Sequence, residues 1–259
     1  MGERTSYTAG TFSWVDLSTT DQPGAKQFYS ELFGWTSTDN PIGDGIVYSM
    51  MHKDGKDVAA ISPQPQQQAE AGVPPMWNNY VTVASADQAA TRAAELGANV
   101  HAPPFDVMEV GRMAVIQDPQ GAFFQVWEPK AHIGASLVNA PGSLSWNELA
   151  SPDLDGTKSF YSALFGWAFE AMEGSPIPYT IIKNGDRSNG GVRPPAPGEP
   201  PAYWLVYFGC EDTDATLAKV AELGGKKLAG PYEMGPGKIA IAIDPQGAVF
   251  ALYSGHFDD

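Results

Sequence analysis

The chain has 259 residues, 43% hydrophobic and 11% aromatic, enough for two ordinary domains or one large one. Thirty acidic against fifteen basic residues give a net charge of −15, which repels phosphate backbones and anionic lipid and excludes nucleic acid and membranes as expected partners. A single cysteine, Cys210, rules out an internal disulfide, and neither an apolar signal core nor a membrane-length apolar run is present, so a cytoplasmic protein is expected.

The first element, FSWVDL, reads as a strand with Phe12, Trp14 and Asp16 on one face and Ser13, Val15 and Leu17 on the other. Asp21 is placed to cap a helix, and Pro23 suits its first turn. Ala25, Phe28, Tyr29, Leu32 and Phe33 then form an apolar stripe, which Gly34 ends. Strands are expected at GIVYSMM and DVAAIS around the turn KDGK. PQPQQQAEAGVPP reads as a linker without a core. The pattern then restarts with a strand over 78–84, a helix over about 86–96, and strands RMAVIQ and AFFQVWE flanking DPQG.

All of this recurs. FYSELFGW at 28–35 returns as FYSALFGW at 160–167, and Trp14, Asp16 and Asp21 fall on Trp146, Glu148 and Asp153 at the same offset of 132. AELGA and AELGG lie 127 apart, and the two copies of DPQGA lie 126 apart. The landmarks keep their order, so the chain is a duplication of domain-sized halves, each made of two strand–helix–strands units. The halves are placed at 1–135 (units about 10–62 and 76–129) and 136–259 (units about 142–193 and 202–256), joined by PKAHIGASLVNAPGS. RPPAPGEPP is the internal linker of the second.

Four such units, with FYSELFGW after the first strand and DPQGAFFQVWEP closing a half, resemble the vicinal-oxygen-chelate superfamily of glyoxalase I, extradiol dioxygenases, bleomycin-binding resistance proteins and many glyoxalase-like or hydroxylase-like proteins. The resemblance covers nearly the whole chain. It implies an α+β fold of two tandem glyoxalase-like domains, four βαβββ modules forming open, partly rolled mixed sheets around two cups. Pairing of modules within each half and exchange between first and fourth both remain open.

The resemblance also implies where metal ligands would lie. The position seven residues before the helix-opening Asp holds Trp14 and Trp146, and indole is no ligand there. The matching positions in the second units are Asn78 and Leu205, and those on the closing strands are Gln125 and Ala251. DVAAIS has no carboxylate from 58 to 62, and the matching segment offers only Arg193. No metal ligand set is therefore assigned and no cofactor is expected, with a divalent metal at substituted positions as the alternative.

Asp16 and Glu148 recur on the same strand face and are the candidate catalytic or anchoring carboxylates. Strand parity places Trp14, Met50, Asn78, Tyr80, Gln125 and Trp127 beside Asp16. It places Trp146, Tyr179, Tyr207 and Tyr253, with Ala251, beside Glu148. The plainer reading pairs each acid with backbone or a neighbouring arginine. His52, His101, His132 and His256 form no ligand pair and read as loop histidines, His52 being the best exception. Arg112 and Lys238 occupy matching strand ends, where they could meet an anion or simply be solvated.

An aromatic cavity with a few amide or acid groups suits a flat, partly polar molecule. The first functional reading is thus a metal-independent binder of a small aromatic or antibiotic-like ligand, as in the bleomycin-binding proteins it resembles. The alternatives are a metal-dependent lyase, isomerase or oxygenase, and a degenerate scaffold acting through protein contacts. Internal duplication makes a pseudo-dimer, compatible with a monomer or a homodimer.

Overall fold

Asp21 accepts a hydrogen bond from Gly24 N, and the helix it starts ends where Gly34 adopts φ 71°, a left-handed conformation that glycine reaches without a Cβ clash. Asp153 and Gly166 (φ 74°) repeat both devices. The computed structural model describes residues 2–43, 45–175, 177–234 and 237–257.

The first half runs β1 (Phe12–Thr19), α1 (Gln22–Phe33), β2 (Thr36–Gly43), β3 (Ile46–Lys53), β4 (Lys56–Pro63), α2 (Gln66–Glu70), β5 (Met76–Thr82), α3 (Ala86–Glu95), β6 (Asn99–Val107), β7 (Gly111–Gln117) and β8 (Phe123–Pro129). The second runs β9 (Leu144–Ala150), α4 (Leu154–Phe165), β10 (Ala168–Ala171), β11 (Thr180–Asn184), β12 (Arg187–Arg193), β13 (Tyr203–Gly209), α5 (Thr213–Glu222), β14 (Lys226–Met234), β15 (Gly237–Ile243) and β16 (Val249–Ser254). Each half builds one eight-stranded sheet, in the orders β2-β3-β4-β1-β5-β8-β7-β6 and β10-β11-β12-β9-β13-β16-β15-β14. The modules of a half therefore share one sheet, joined where β1 runs antiparallel to β5 and β9 to β13.

Four strands absent from the sequence reading are the sheet edges β2, β6, β10 and β14, and the expected PQ-rich linker contains the short helix α2. The edges are largely exposed, so no apolar alternation marks them.

The modules do not exchange strands; instead each long helix lies between the sheets, touching its own (Tyr29 with Trp77, Tyr161 with Trp204) and the other. Phe28 and Tyr29 of α1 lie against Phe250 of the second sheet, and Phe33 against Phe208. Phe160, Tyr161 and Phe165 of α4 lie against Phe124 of the first. Phe250 alternates with Ala251 and Phe124 with Gln125, so the helices cover the sheet faces opposite the cups.

Hydrogen bonds cross in the same reciprocal way. Tyr29 donates to Asp244 at 3.1 Å and Tyr161 to Asp118 at 2.9 Å. Trp35 donates to Gly142 O in the connecting segment, and Trp167 to Gly10 O in the N-terminal segment. The repeated octapeptide is thus core packing and a helix stop, as its pattern suggests, and also the fastener between halves.

Candidate functional site

Register brings the expected first-cup residues onto one face. Asp16 pairs with Ala60 and Asn78, Trp14 with Tyr80, Tyr80 with Gln125, and Met50 with Ala60. Trp127 pairs with Thr82, two residues beyond Tyr80. Asp16 is buried, and its carboxylate accepts from Asn78 Nδ2 at 2.8 Å, Tyr80 OH at 2.7 Å and Tyr48 OH at 3.0 Å. Trp14 Nε1 donates to Tyr48 OH at 2.9 Å, orienting that hydroxyl from behind. Burial pushes the Asp16 carboxyl up, against the opposing pull of these hydrogen bonds. Burial also pushes Tyr48 and Tyr80 well above the ordinary tyrosine value, so both remain protonated donors at neutral pH.

Tyr48 was missing from the sequence-based set, although strand parity places it with Met50, two residues on. His132 was missed for another reason: it belongs to the connecting segment, which carries no periodicity. Its ring meets Trp14 edge-on at 4.6 Å and lies 6.0 Å from Trp127, whose Nε1 donates to His132 O. The segment between the halves therefore packs into the wall of the first cup.

Burial lowers the His132 pKa from its ordinary 6.5, with Asp57 opposing. A lowered folded-state pKa contributes stability that is present above 6.5 and lost as pH falls through the folded value. His132→Phe is expected to flatten the fall in Tm between about pH 7 and 5; an unchanged slope in thermal scans would show that His132 is not the responsible group. His52, in β3, bonds Asp57 at 2.8 Å and Thr38 at 3.1 Å.

The second cup is built to the same plan with a different outcome. Trp146 Nε1 donates to Tyr179 OH at 2.9 Å, and the Tyr179 and Tyr207 hydroxyls bond Glu148, as Tyr48 and Tyr80 bond Asp16. Burial drives both tyrosines well above their ordinary value. Here, however, Arg193 Nε donates to Glu148 Oε1 at 2.6 Å. Its two terminal nitrogens bond Glu199 at 2.7 and 3.0 Å, and one also reaches Tyr203 OH at 3.1 Å. The second internal linker is thus clamped to the cup through Glu199. Leu205, Tyr207 and Ala251 form an apolar cluster with Trp146, Tyr253 and Ile241.

Arg112 and Lys238 are engaged elsewhere. Arg112 makes a two-pronged contact with Asp87, and Lys238 bonds Asp214, tying each strand to the first turn of α3 or α5. Cys210 is buried.

The model of the Glyoxalase/Bleomycin resistance protein/Dioxygenase superfamily matches residues 11–126 and 143–252, one match per sheet. The chain belongs to this superfamily. Within the superfamily, "Putative glyoxylase CFP32" of Mycobacterium tuberculosis is 44% identical, over 97% of both chains. The anthracycline biosynthesis protein DnrV of Streptomyces peucetius is 33% identical, over 96% of this chain and 94% of its own. The Mn(II)-bound glyoxalase of Novosphingobium aromaticivorans shares the fold at a TM-score of 0.66 and 16% identity, covering 100% of this chain and 86% of that one.

The residues at the superfamily's metal positions do not fit a metal. Trp14, Trp146, Leu205 and Ala251 offer no donor. In the first cup, both Asp16 oxygens accept hydrogen bonds and Asn78 Oδ1 accepts from Gln125 at 3.3 Å, which leaves Gln125 Oε1 as the one unengaged oxygen of these three side chains. Among the described residues, no group of three or more His, Cys, Asp or Glu side chains is placed to hold an ion.

Proposed function

We propose that this protein binds a small, flat, partly polar organic molecule in the first cup without a metal, with Asp16 as the polar anchor. One observation carries the reading: Asp16 is a buried carboxylate among aromatic walls, and its side-chain partners Tyr48, Asn78 and Tyr80 are all neutral. Glu148, in the same place in the second cup, is neutralised by Arg193. A buried acid without a cation is costly unless something offsets it, and a donor-bearing or cationic ligand would do so. The relative named for anthracycline biosynthesis supports an antibiotic-like aromatic as the ligand class.

A second reading is favoured by the upward push on the Asp16 pKa. A carboxyl whose charged form is disfavoured by burial, held between two tyrosine hydroxyls, suits proton transfer, and in this reading the cup serves a lyase or isomerase with Asp16 as general base.

Native mass spectrometry and elemental analysis of the untagged protein, purified without chelator, test the proposal. A retained organic molecule on metal-free, folded protein is the expected result. About one Fe, Mn, Ni or Zn per chain would overturn it, since a resident ion needs a full set of converging donors. Asp16→Ala should weaken retention by about tenfold or more, the loss of a charge-assisted hydrogen bond. Glu148→Gln should leave retention unchanged.

A further inference from the structure

Three side chains of the first cup form a hydrogen-bonded chain across neighbouring strands: Asp16 on β1, Asn78 on β5 and Gln125 on β8. Asn78 donates to Asp16, and Gln125 Nε2 donates to Asn78 Oδ1. An isolated amide can be turned either way, but here the carboxylate decides. It holds only acceptors, so Asn78 must turn its NH2 toward Asp16 and its oxygen toward Gln125. Gln125 must then turn its own NH2 into the chain. The open end is Gln125 Oε1, a buried oxygen with no partner. A buried polar atom left alone calls for an explanation. Gln125 is itself buried, and its neighbours on the same face, Asn78 and Val115, are half-buried. In the second cup, Leu205 and Ala251 stand at the two amide positions, and no such chain exists.

We propose that Asp16 sets the polarity of this chain so that the first cup presents one hydrogen-bond acceptor, Gln125 Oε1, to a hydroxyl or amino hydrogen on an aromatic ligand. The inference rests on the binding reading above and narrows it to donor-bearing rings. The groups facing Asp16 are Tyr48 from β3 and Asn78 and Tyr80 from β5, all neutral. The polarity therefore depends on the charge of Asp16 itself. Asp16→Asn should reverse it. The new amide can offer its NH2 to Asn78 Oδ1 while its oxygen still accepts from the tyrosines. Asn78 and Gln125 then turn in sequence, and Gln125 presents N–H in place of oxygen.

The test titrates the full-length protein with β-naphthol and with its O-methyl ether, which has lost the donor hydrogen, following shifts in the NMR spectrum. Wild type should prefer β-naphthol by about tenfold, the worth of one well-placed hydrogen bond in a buried site. Asp16→Asn should erase or invert that ratio. Gln125→Leu should bind both probes with no preference, and it carries the test alone if circular dichroism shows that Asp16→Asn does not fold. The same ratio in wild type and both variants overturns the inference and leaves the binding reading standing. If wild type binds neither probe and retains no metabolite, the binding reading falls and the inference with it.

Discussion

Arg193→Met is expected to destabilise the protein by about 3–5 kcal/mol, the cost of leaving buried charge without its partner. Glu148 and Arg193 are both buried, and Arg193 bridges Glu148 to Glu199 through separate guanidinium nitrogens. Removing the guanidinium strands Glu148 between Tyr179 and Tyr207 and frees the linker that carries Glu199. Burial alone would raise the Glu199 carboxyl, but its hydrogen bonds to Arg193 hold it below its ordinary 4.5. A lowered carboxyl contributes stability that is present above 4.5 and lost as pH falls through the folded value. The gap between wild type and Arg193→Met should therefore be full at neutral pH and shrink in acid. Urea unfolding measures it. The double variant Arg193→Met/Glu148→Gln should recover much of the loss, because the stranded charge is gone. A single-variant loss under about 1 kcal/mol would mean the network behaves as a surface ion pair.

Asp118→Ala is the other large effect, expected at about 3 kcal/mol or more, because several buried donors lose their acceptor together. Asp118 Oδ1 accepts from the backbone of Gln120, Gly121 and Ala122 at 3.0, 2.8 and 2.9 Å, which folds the DPQG turn. Oδ2 accepts from Tyr161 of the other half, and Tyr161 OH in turn accepts from Trp204 at 3.1 Å. One carboxylate therefore holds both a turn and the contact between halves. Tyr161→Phe keeps the turn contacts but removes the crossing bond and the acceptor of Trp204 Nε1, and should cost about 1–2 kcal/mol. Asp118→Asn keeps an oxygen for the turn but turns an NH2 toward the Tyr161 hydroxyl that donates to this side chain, so it should resemble Tyr161→Phe. Equal losses for Asp118→Ala and Tyr161→Phe in urea unfolding would show that the turn contacts contribute nothing. Asp244→Ala, with Tyr29 as its partner, should behave alike.

The repeat, the helix caps and the inward set were legible because each leaves a local mark: period two, period 3.6, or a glycine past a helix end. Trp14, Asp16, Asn78, Tyr80 and Gln125 share a face as parity predicts. The four edge strands left no mark. Pro41 lies in β2, and Pro103 and Pro104 lie in β6, positions that an edge tolerates and a central strand does not. Glu148 and Arg193 are 45 residues apart and belong to neighbouring parallel strands. The plainer reading, an acid paired with a neighbouring arginine, describes Glu148 and Arg193 but not Asp16, whose side-chain partners are neutral. His132 and the crossing of Tyr29 and Tyr161 are purely tertiary, set by how two sheets meet through their helices.

That meeting also bears on ancestry. A homodimer of single halves would make the Tyr–Asp contact twice by symmetry, and the fused chain still makes it twice. In such a dimer every substitution appears in both cups at once. Fusion ends that obligation. The seam lies on the helix-covered faces, so one cup can drift without disturbing the joint. Asn78 and Gln125 in one cup against Leu205 and Ala251 in the other are the kind of difference that such freedom permits.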